Sequence, residues 1–171
     1  TTASGDYSTS MGNSTTASGI VSTAMGESTT ANGDYSTAMG YGSIAIGIVS
    51  TAMGVYTTAN GDYSTAMGRN TTASGIVSTA MGQSTTANGD YSTAMGRSTI
   101  ASDFGSLVIG QYNSSGSSAT SATSFNLANT AFVIGNGTAS DAKSDAFKVM
   151  FNGDATVGND LTVSGDIVVN S

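Results

Sequence analysis

Small, polar and apolar residues recur with a step of seven along the first two thirds of the chain. The repeated unit is Ser/Thr-Thr-Ala-x-Gly-x-x, and sixteen copies fill residues 1–112, with Asp103 replacing the glycine once. In a helix, a glycine in every heptad would cost about 1 kcal/mol each, and the threonines and asparagines would add to that cost. The pattern therefore predicts five-residue strands such as Ser-Thr-Ala-Met-Gly, with the two residues after each glycine forming a corner.

The residue before each glycine shows that the true repeat is fourteen residues long. In every second heptad this residue is methionine, or isoleucine in the last one, whereas in the heptads between it is mostly serine or asparagine. A fixed period of this kind is typical of a solenoid. We expect an all-β fold in which each coil contains two strands and two corners. Eight such coils would stack as a parallel β-roll with a rise of about 4.8 Å per coil.

The corners carry a longer rhythm of 28 residues. Asp-Tyr pairs such as Asp34-Tyr35 alternate with Ile-Val pairs such as Ile48-Val49. Aspartates in adjacent coils would lie about 4.8 Å apart and would repel each other. The alternation is expected to separate them by about 10 Å, which is close to one Debye length at physiological salt.

Strand alternation assigns the side chains to opposite faces. Because the third residue of nearly every strand is alanine, we expect a thin interior of methyl groups, with threonine and methionine pointing out of the roll. The methionines would then form a long apolar ladder, which soluble monomers rarely expose. We predict a homotrimer that packs this ladder around a common axis through Met11, Met25, Met39, Met53, Met67, Met81, Met95 and Ile109. The alternative is a monomeric roll with methionine and threonine inside, which would bury polar groups that need partners.

Composition and charge exclude several function classes. The chain contains no cysteine and no histidine, so it lacks a thiol nucleophile, a Ser-His dyad, disulfides and the usual zinc or copper ligands. A net charge of −7 argues against nucleic acids and anionic membrane surfaces as partners. No apolar segment approaches the length needed for membrane insertion. We expect a protein that is not an enzyme and binds no cofactor or metal.

The sequence SIAIG at residues 43–47 resembles the inner-strand motif of the YadA-type heads of trimeric autotransporter adhesins, and STAMG is its Thr/Met version. The resemblance covers residues 1–112. It implies a left-handed parallel β-roll that forms a tight homotrimer in a fibrous surface protein. Ile44 and Ile46 depart from the family pattern because they lie in the polar register, where they would face solvent.

Two sets of residues are therefore candidates for contacts with a ligand or a neighbour. Ile44 and Ile46 would form a local apolar patch on the polar wall. The tyrosines at the corners would form an edge column that could stack on sugar rings or pack against another subunit. The members of this column are Tyr35, Tyr63 and Tyr91, together with Tyr7.

The remaining sequence predicts a different organisation. Larger side chains such as Phe104 and Leu107 indicate a cap that closes the roll at residues 99–110. Residues 113–130 form a Ser/Thr-rich connection, with Phe125 and Leu127 as candidate anchors. Residues 131–171 predict short strands separated by Gly-Asn, Asn-Gly and Ser-Gly turns. This last segment resembles connectors of phage tail fibres and bacterial surface fibres, and the resemblance implies an intertwined trimeric β-connector toward a tip or a chaperone domain.

These features favour a structural or adhesive module of a trimeric surface fibre, extracellular on a bacterial cell or on a phage tail. Its partners would be two further copies of the chain and, through a tip outside this sequence, a glycan or protein on a host or prey surface. The alternative is binding to ice or another regular surface through exposed threonines, Thr57-Thr58, Thr71-Thr72 and Thr85-Thr86. Two other hypotheses are weaker: calcium binding by the corner aspartates, and catalysis by Ser144 with Lys143, which would face opposite ways in a strand.

Overall fold

The chain folds as a β-solenoid. The computed structural model describes residues 1–116 and 118–164, and these residues form strands and no helix. Strands of neighbouring coils pair in parallel with a register of fourteen residues, so that Thr65 lies opposite Thr51 and Thr79. The predicted parallel β-roll and its fourteen-residue coil are confirmed.

The described residues form nineteen strands, numbered in chain order, which belong to two walls. The polar wall contains β1 Thr2–Ala3, β3 Thr16–Ala17, β5 Thr30–Ala31, β7 Ile44–Ala45, β9 Thr58–Ala59, β11 Thr72–Ala73, β13 Thr86–Ala87 and β15 Ile100–Ala101. The methionine wall contains β2 Thr9–Asn13, β4 Thr23–Glu27, β6 Thr37–Tyr41, β8 Thr51–Val55, β10 Thr65–Arg69, β12 Thr79–Gln83, β14 Thr93–Arg97, β16 Leu107–Gln111, β17 Thr130–Asn136, β18 Asp145–Met150 and β19 Ala155–Val157.

The strands of the two walls differ in length, so the prediction of five-residue strands ending at each glycine was wrong. On the methionine wall the ladder continues through the glycine to the next residue, as from Gly68 to Arg69 in β10. On the polar wall each strand stops after the alanine. The amides of Ser74 and Gly75 both donate to the carbonyl of Ala87, and this shared acceptor ends the regular pairing.

The interior of the roll contains two kinds of side chain. The third-position alanines from Ala17 to Ala101 are fully buried, which confirms that alanine points inward. The serines and threonines at the first position of the heptads are buried as well from Thr15 to Ser106. The hydroxyl oxygens of Ser64 and Thr71, for example, have no hydrogen-bond partner. The first and third positions of an extended segment share one face. The predicted interior of methyl groups alone was therefore incomplete.

Each methionine-wall strand from β2 to β14 is flanked by two corners. We call the two residues after the glycine that precedes the strand its entry corner, as in Asp62-Tyr63 before β10, and the two residues after the strand's own glycine its exit corner, as in Arg69-Asn70. The entry-corner aspartates bond to the preceding coil, because Oδ1 of Asp62 accepts a hydrogen bond of 2.8 Å from the amide of Ile48. The same contact links Asp90 with Ile76. Because Asp-Tyr and Ile-Val entry corners alternate, the aspartate carboxylate of one corner accepts a hydrogen bond from the isoleucine amide of the preceding entry corner.

The cap predicted at residues 99–110 closes the polar wall, as expected, but does not close the methionine wall. The polar wall ends at β15, where the side-chain amide of Asn113 takes the place of a further strand. It accepts a bond from the Ile100 amide at 2.8 Å and donates to the Ile100 carbonyl at 2.9 Å. The methionine wall continues, because β17 pairs in parallel with β16 and then leads into antiparallel β18 and β19.

The segment between β16 and β17 is attached to the roll by polar groups. Phe125 and Leu127, the predicted anchors, remain exposed, although the Phe125 ring lies 5.0 Å from that of Phe151. The anchor is Asp103, which is fully buried and accepts backbone hydrogen bonds from Thr120, Ser121 and Thr130. The departure from glycine at this position therefore fixes the connection.

Replacing Asp103 by alanine is expected to lower the free energy of unfolding by at least about 3 kcal/mol. Hydrogen bonds to a charged group contribute about 1.5–3 kcal/mol each, and the variant would leave buried amides without acceptors. Thermal unfolding followed by circular dichroism measures the change. Asp141→Ala is the control, since it removes the same charge from an exposed position. Equal midpoints for the two variants would contradict an anchoring role.

Candidate functional site along the methionine wall

The methionines form one continuous column on the outer face of their wall. The strand register places Met67 opposite Met53 and Met81, and the same alignment runs from Met11 to Ile109. Met11 is exposed at the end of the roll, and the others are half-buried because adjacent coils cover only their flanks. A column of second-position threonines runs beside them, as in Thr51, Thr65 and Thr79. We call these two columns together the apolar seam.

The apolar seam continues past the last repeat and becomes more hydrophobic. Ile109 lies opposite Ile134, which in turn lies opposite Phe147. In the neighbouring column the order is Leu107, Phe132 and Val149. Sequence reasoning missed this continuation because the connection lengthens the spacing beyond fourteen residues. The signal was present, since FVIG at residues 132–135 repeats LVIG at residues 107–110.

The chemistry of the apolar seam is that of an interface rather than a reactive centre. Each methionine left facing water forgoes about 1.5–3 kcal/mol of hydrophobic stabilisation. No charged side chain interrupts the two columns from β2 to β16, whereas charges such as Glu27, Arg69 and Arg97 lie at the exit corners. An uncharged centre with a polar rim is the usual anatomy of a protein–protein interface.

The repeat pattern and the coil geometry identify the family. The profile of the YadA head domain repeat matches residues 3–20, 17–43, 45–71 and 73–99. The chain belongs to the YadA head family. This membership, with the solenoid described above, makes it an adhesin-like module of a type that is typically surface-exposed. No curated protein matches the chain.

On the polar wall, Ile44 and Ile46 occupy the register positions predicted for them. Ile44 replaces threonine in the polar-wall column, between Thr30 and Thr58, and is half-buried. Ile46 is exposed. The two isoleucines therefore lie on the wall opposite the apolar seam, and their role as a contact patch stays a prediction.

The corner tyrosines do not join that patch. Tyr35 and Tyr63 are exposed at entry corners, each separated from the next tyrosine by an Ile-Val coil. Tyr91 packs against Phe104 with 5.2 Å between ring centroids. The structure thus divides the sequence-predicted residues among the methionine wall, the polar wall and the entry corners. Their proposed functional roles stay predictions.

An aromatic cluster at the exit corners was missed by the sequence reasoning. The rings of Tyr41 and Tyr56 meet edge to face with 5.1 Å between centroids. The Tyr56 ring covers Gly42, where a Cβ atom would lie 2.7 Å from it, so the glycine makes room for the ring. A hydrogen bond with Tyr41 raises the pKa of Tyr56 above its ordinary value, and desolvation and the charges of Tyr41 and Glu27 act in the same direction.

Among the residues that the structure describes, no cavity and no cluster of three potential metal ligands is found. A backbone amide donates a hydrogen bond to each of the carboxylates of Asp34, Asp62 and Asp90. The Ser144 hydroxyl donates to the Asn136 side chain at 2.7 Å. Within the described ranges, no helix has the length and hydropathy needed to cross a bilayer.

Proposed function

We propose that this chain is a structural and adhesive module of a trimeric surface fibre. The supporting observation is the apolar seam, which runs along the whole methionine wall and is only half-covered within one chain. Three copies would bury their seams around a common axis, because a closed ring of identical walls leaves none of them facing water. The opposite wall, which is polar apart from isoleucines such as Ile44 and Ile46, then faces solvent.

The mechanism of such a module is mechanical. Backbone hydrogen bonds connect each coil to the next along the roll, and the shared seam joins the three chains laterally. The fibre would hold a binding tip, outside this sequence, at a distance from its anchor on a bacterial cell or a phage tail. This proposal includes left-handed coiling of the roll, an intertwined trimeric connector, and a glycan or protein ligand on the target surface.

Binding to ice or another regular surface is the alternative function. Thr58, Thr72 and Thr86 are aligned on the polar wall. The first threonine of each predicted pair, however, is fully buried inside the roll, as in Thr57, Thr71 and Thr85, so the prediction that both threonines of each pair are exposed was wrong. Ile44 and Ile100 interrupt the aligned column by replacing threonine in it. The interruption favours the fibre module, and a measurement of thermal hysteresis would test the alternative directly.

Native mass spectrometry and light scattering test the oligomeric state. We expect a species of three times 16.8 kDa that persists under mild denaturing conditions, because the seams of all three chains are buried together. A single species of 16.8 kDa at micromolar concentration would overturn the proposed function.

A further inference from the structure

The corners at the two ends of each methionine-wall strand cannot contact each other within one chain. Asp62 precedes β10 and Arg69 ends it. A strand rises about 3.3 Å per residue, so five residues separate the two corners by well over 10 Å. In a ring of three walls around one axis, however, the entry corner of each chain meets the exit corner of the next chain. This geometry rests on the trimer proposed above.

Rotation about the fibre axis keeps each coil at its own height. We call one methionine-wall strand with its two corners a rung. The entry and exit corners of the same rung would therefore meet across the subunit boundary. On the β10 rung, Asp62 at the entry corner would face Arg69 of the neighbouring copy. On the β14 rung, Asp90 would face Arg97 in the same way. The two exit-corner arginines thus both occupy rungs whose entry corner carries an aspartate.

The remaining rungs from β2 to β12 carry no pair of opposite charges, and the β8 rung matches apolar corners instead. On the β8 rung the entry corner Ile48-Val49 and the exit corner Val55-Tyr56 are all exposed apolar residues. Glu27, the acidic exit-corner residue, lies on the β4 rung, where the entry corner is Ile-Val and carries no acid. No rung from β2 to β14 would place two like charges opposite each other.

The charged groups are positioned for these contacts in the single chain. Oδ1 of Asp62 and of Asp90 is held by a backbone amide, and the hydrogen bonds shown for these carboxylates leave Oδ2 available. The guanidinium of Arg97 is held above the Tyr112 ring, 5.3 Å from its centroid. Both arginines are exposed. Fixed geometry lowers the entropy that an ion pair loses on formation.

We propose that each entry corner docks against the exit corner of a second copy of this chain at the same rung. Across the subunit boundary, Asp62 pairs with Arg69 and Asp90 pairs with Arg97. On the β8 rung, Ile48-Val49 of one copy packs on Val55-Tyr56 of the other. The apolar seam drives association, whereas the corner columns set the axial register of the chains. A slip of one rung would lose both ion pairs and bring Glu27 opposite Asp6 or Asp34. Such like-charge contacts discriminate against that register.

Engineered cysteines test the pairing, because the chain has none of its own. Asp62→Cys combined with Arg69→Cys is expected to give a covalent trimer after mild oxidation, seen on a non-reducing denaturing gel. Ile48→Cys with Val55→Cys tests the apolar rung at equivalent positions and keeps both ion pairs. Asp62→Cys with Arg97→Cys is the control, since two rungs add about 10 Å of height, beyond the reach of a disulfide. We expect at least about tenfold more covalent trimer from each same-rung pair than from the control.

The outcomes separate the two proposals. If native mass shows a trimer but the control pair cross-links as well as the same-rung pairs, or no pair cross-links, the corner pairing is wrong and the proposed function stands. If native mass shows a monomer for the unmodified chain, the proposed function fails and the corner pairing fails with it. Covalent trimers from both same-rung pairs support the register.

Discussion

Replacing Met53 and Met67 together by aspartate is expected to convert the assembly into monomers. The two residues lie on adjacent rungs at the middle of the apolar seam. In a trimer the change removes six apolar side chains, each contributing about 1.5–3 kcal/mol when buried. It also places six carboxylates in an apolar interface without partners, which disfavours the assembly further. Light scattering at a fixed chain concentration measures the loss.

The matched control carries the same two charges on the opposite wall. Asn60 and Ser74 are exposed on adjacent coils of the polar wall, and Asn60→Asp with Ser74→Asp is expected to remain trimeric. Circular dichroism of both double variants checks that each still folds into strands. If the polar-wall variant dissociates and the methionine-wall variant does not, the interface has been assigned to the wrong wall.

Replacing Gly68 by alanine is expected to destabilise the roll by more than about 4 kcal/mol, the range reached only by severe core defects. A Cβ atom at this position would lie 2.0 Å from the carbonyl oxygen of Gly82 in the next coil, and the backbone φ is 118°. The contact is with backbone on the adjacent rung, so relief requires the two coils to separate. Thermal unfolding followed by circular dichroism measures the effect.

Gly153→Ala separates the steric clash from the backbone conformation. Gly153 also has a positive φ, 95°, but a Cβ atom there would have no neighbour within 4 Å. We expect it to cost only about 1–3 kcal/mol, the range for a strained backbone conformation. A similar loss of stability for Gly68→Ala and Gly153→Ala would mean that close stacking of glycine on glycine does not limit the coil spacing.

The repeat region was largely predictable because its information is local. A strand places alternate residues on opposite faces, so the column of third-position alanines was enough to assign the interior. The same alternation places the first-position hydroxyls of Ser64 and Thr71 inside, whereas the predicted interior contained methyl groups alone. The sequence also gave no local sign that the last residue of most heptads takes a positive φ. Even the β-branched Val49 does so, at 56°, because coil stacking fixes the corner.

Periodicity predicted the apolar seam up to Ile109, whereas beyond it only the single repetition of LVIG as FVIG indicated the continuation. From Met11 to Ile109 each new member follows after one coil, and a fixed period carries it into register. Phe132 and Ile134 reach the same columns only after the chain has left the roll, been anchored by Asp103 and returned to pair with β16. That return depends on hydrogen bonds between segments far apart in sequence.

Amino-acid order alone thus determined the solenoid, its fourteen-residue coil, the buried alanines and the placement of the methionines on one outer wall. Tertiary structure decided where each strand ends, how the polar wall is capped by Asn113, and that the methionine wall extends through β17 to β19. The reason is the sequence separation of the contacts. Contacts between adjacent coils recur every fourteen residues and produce the periodicity, whereas the ends of the roll are fixed by single long-range contacts that do not recur.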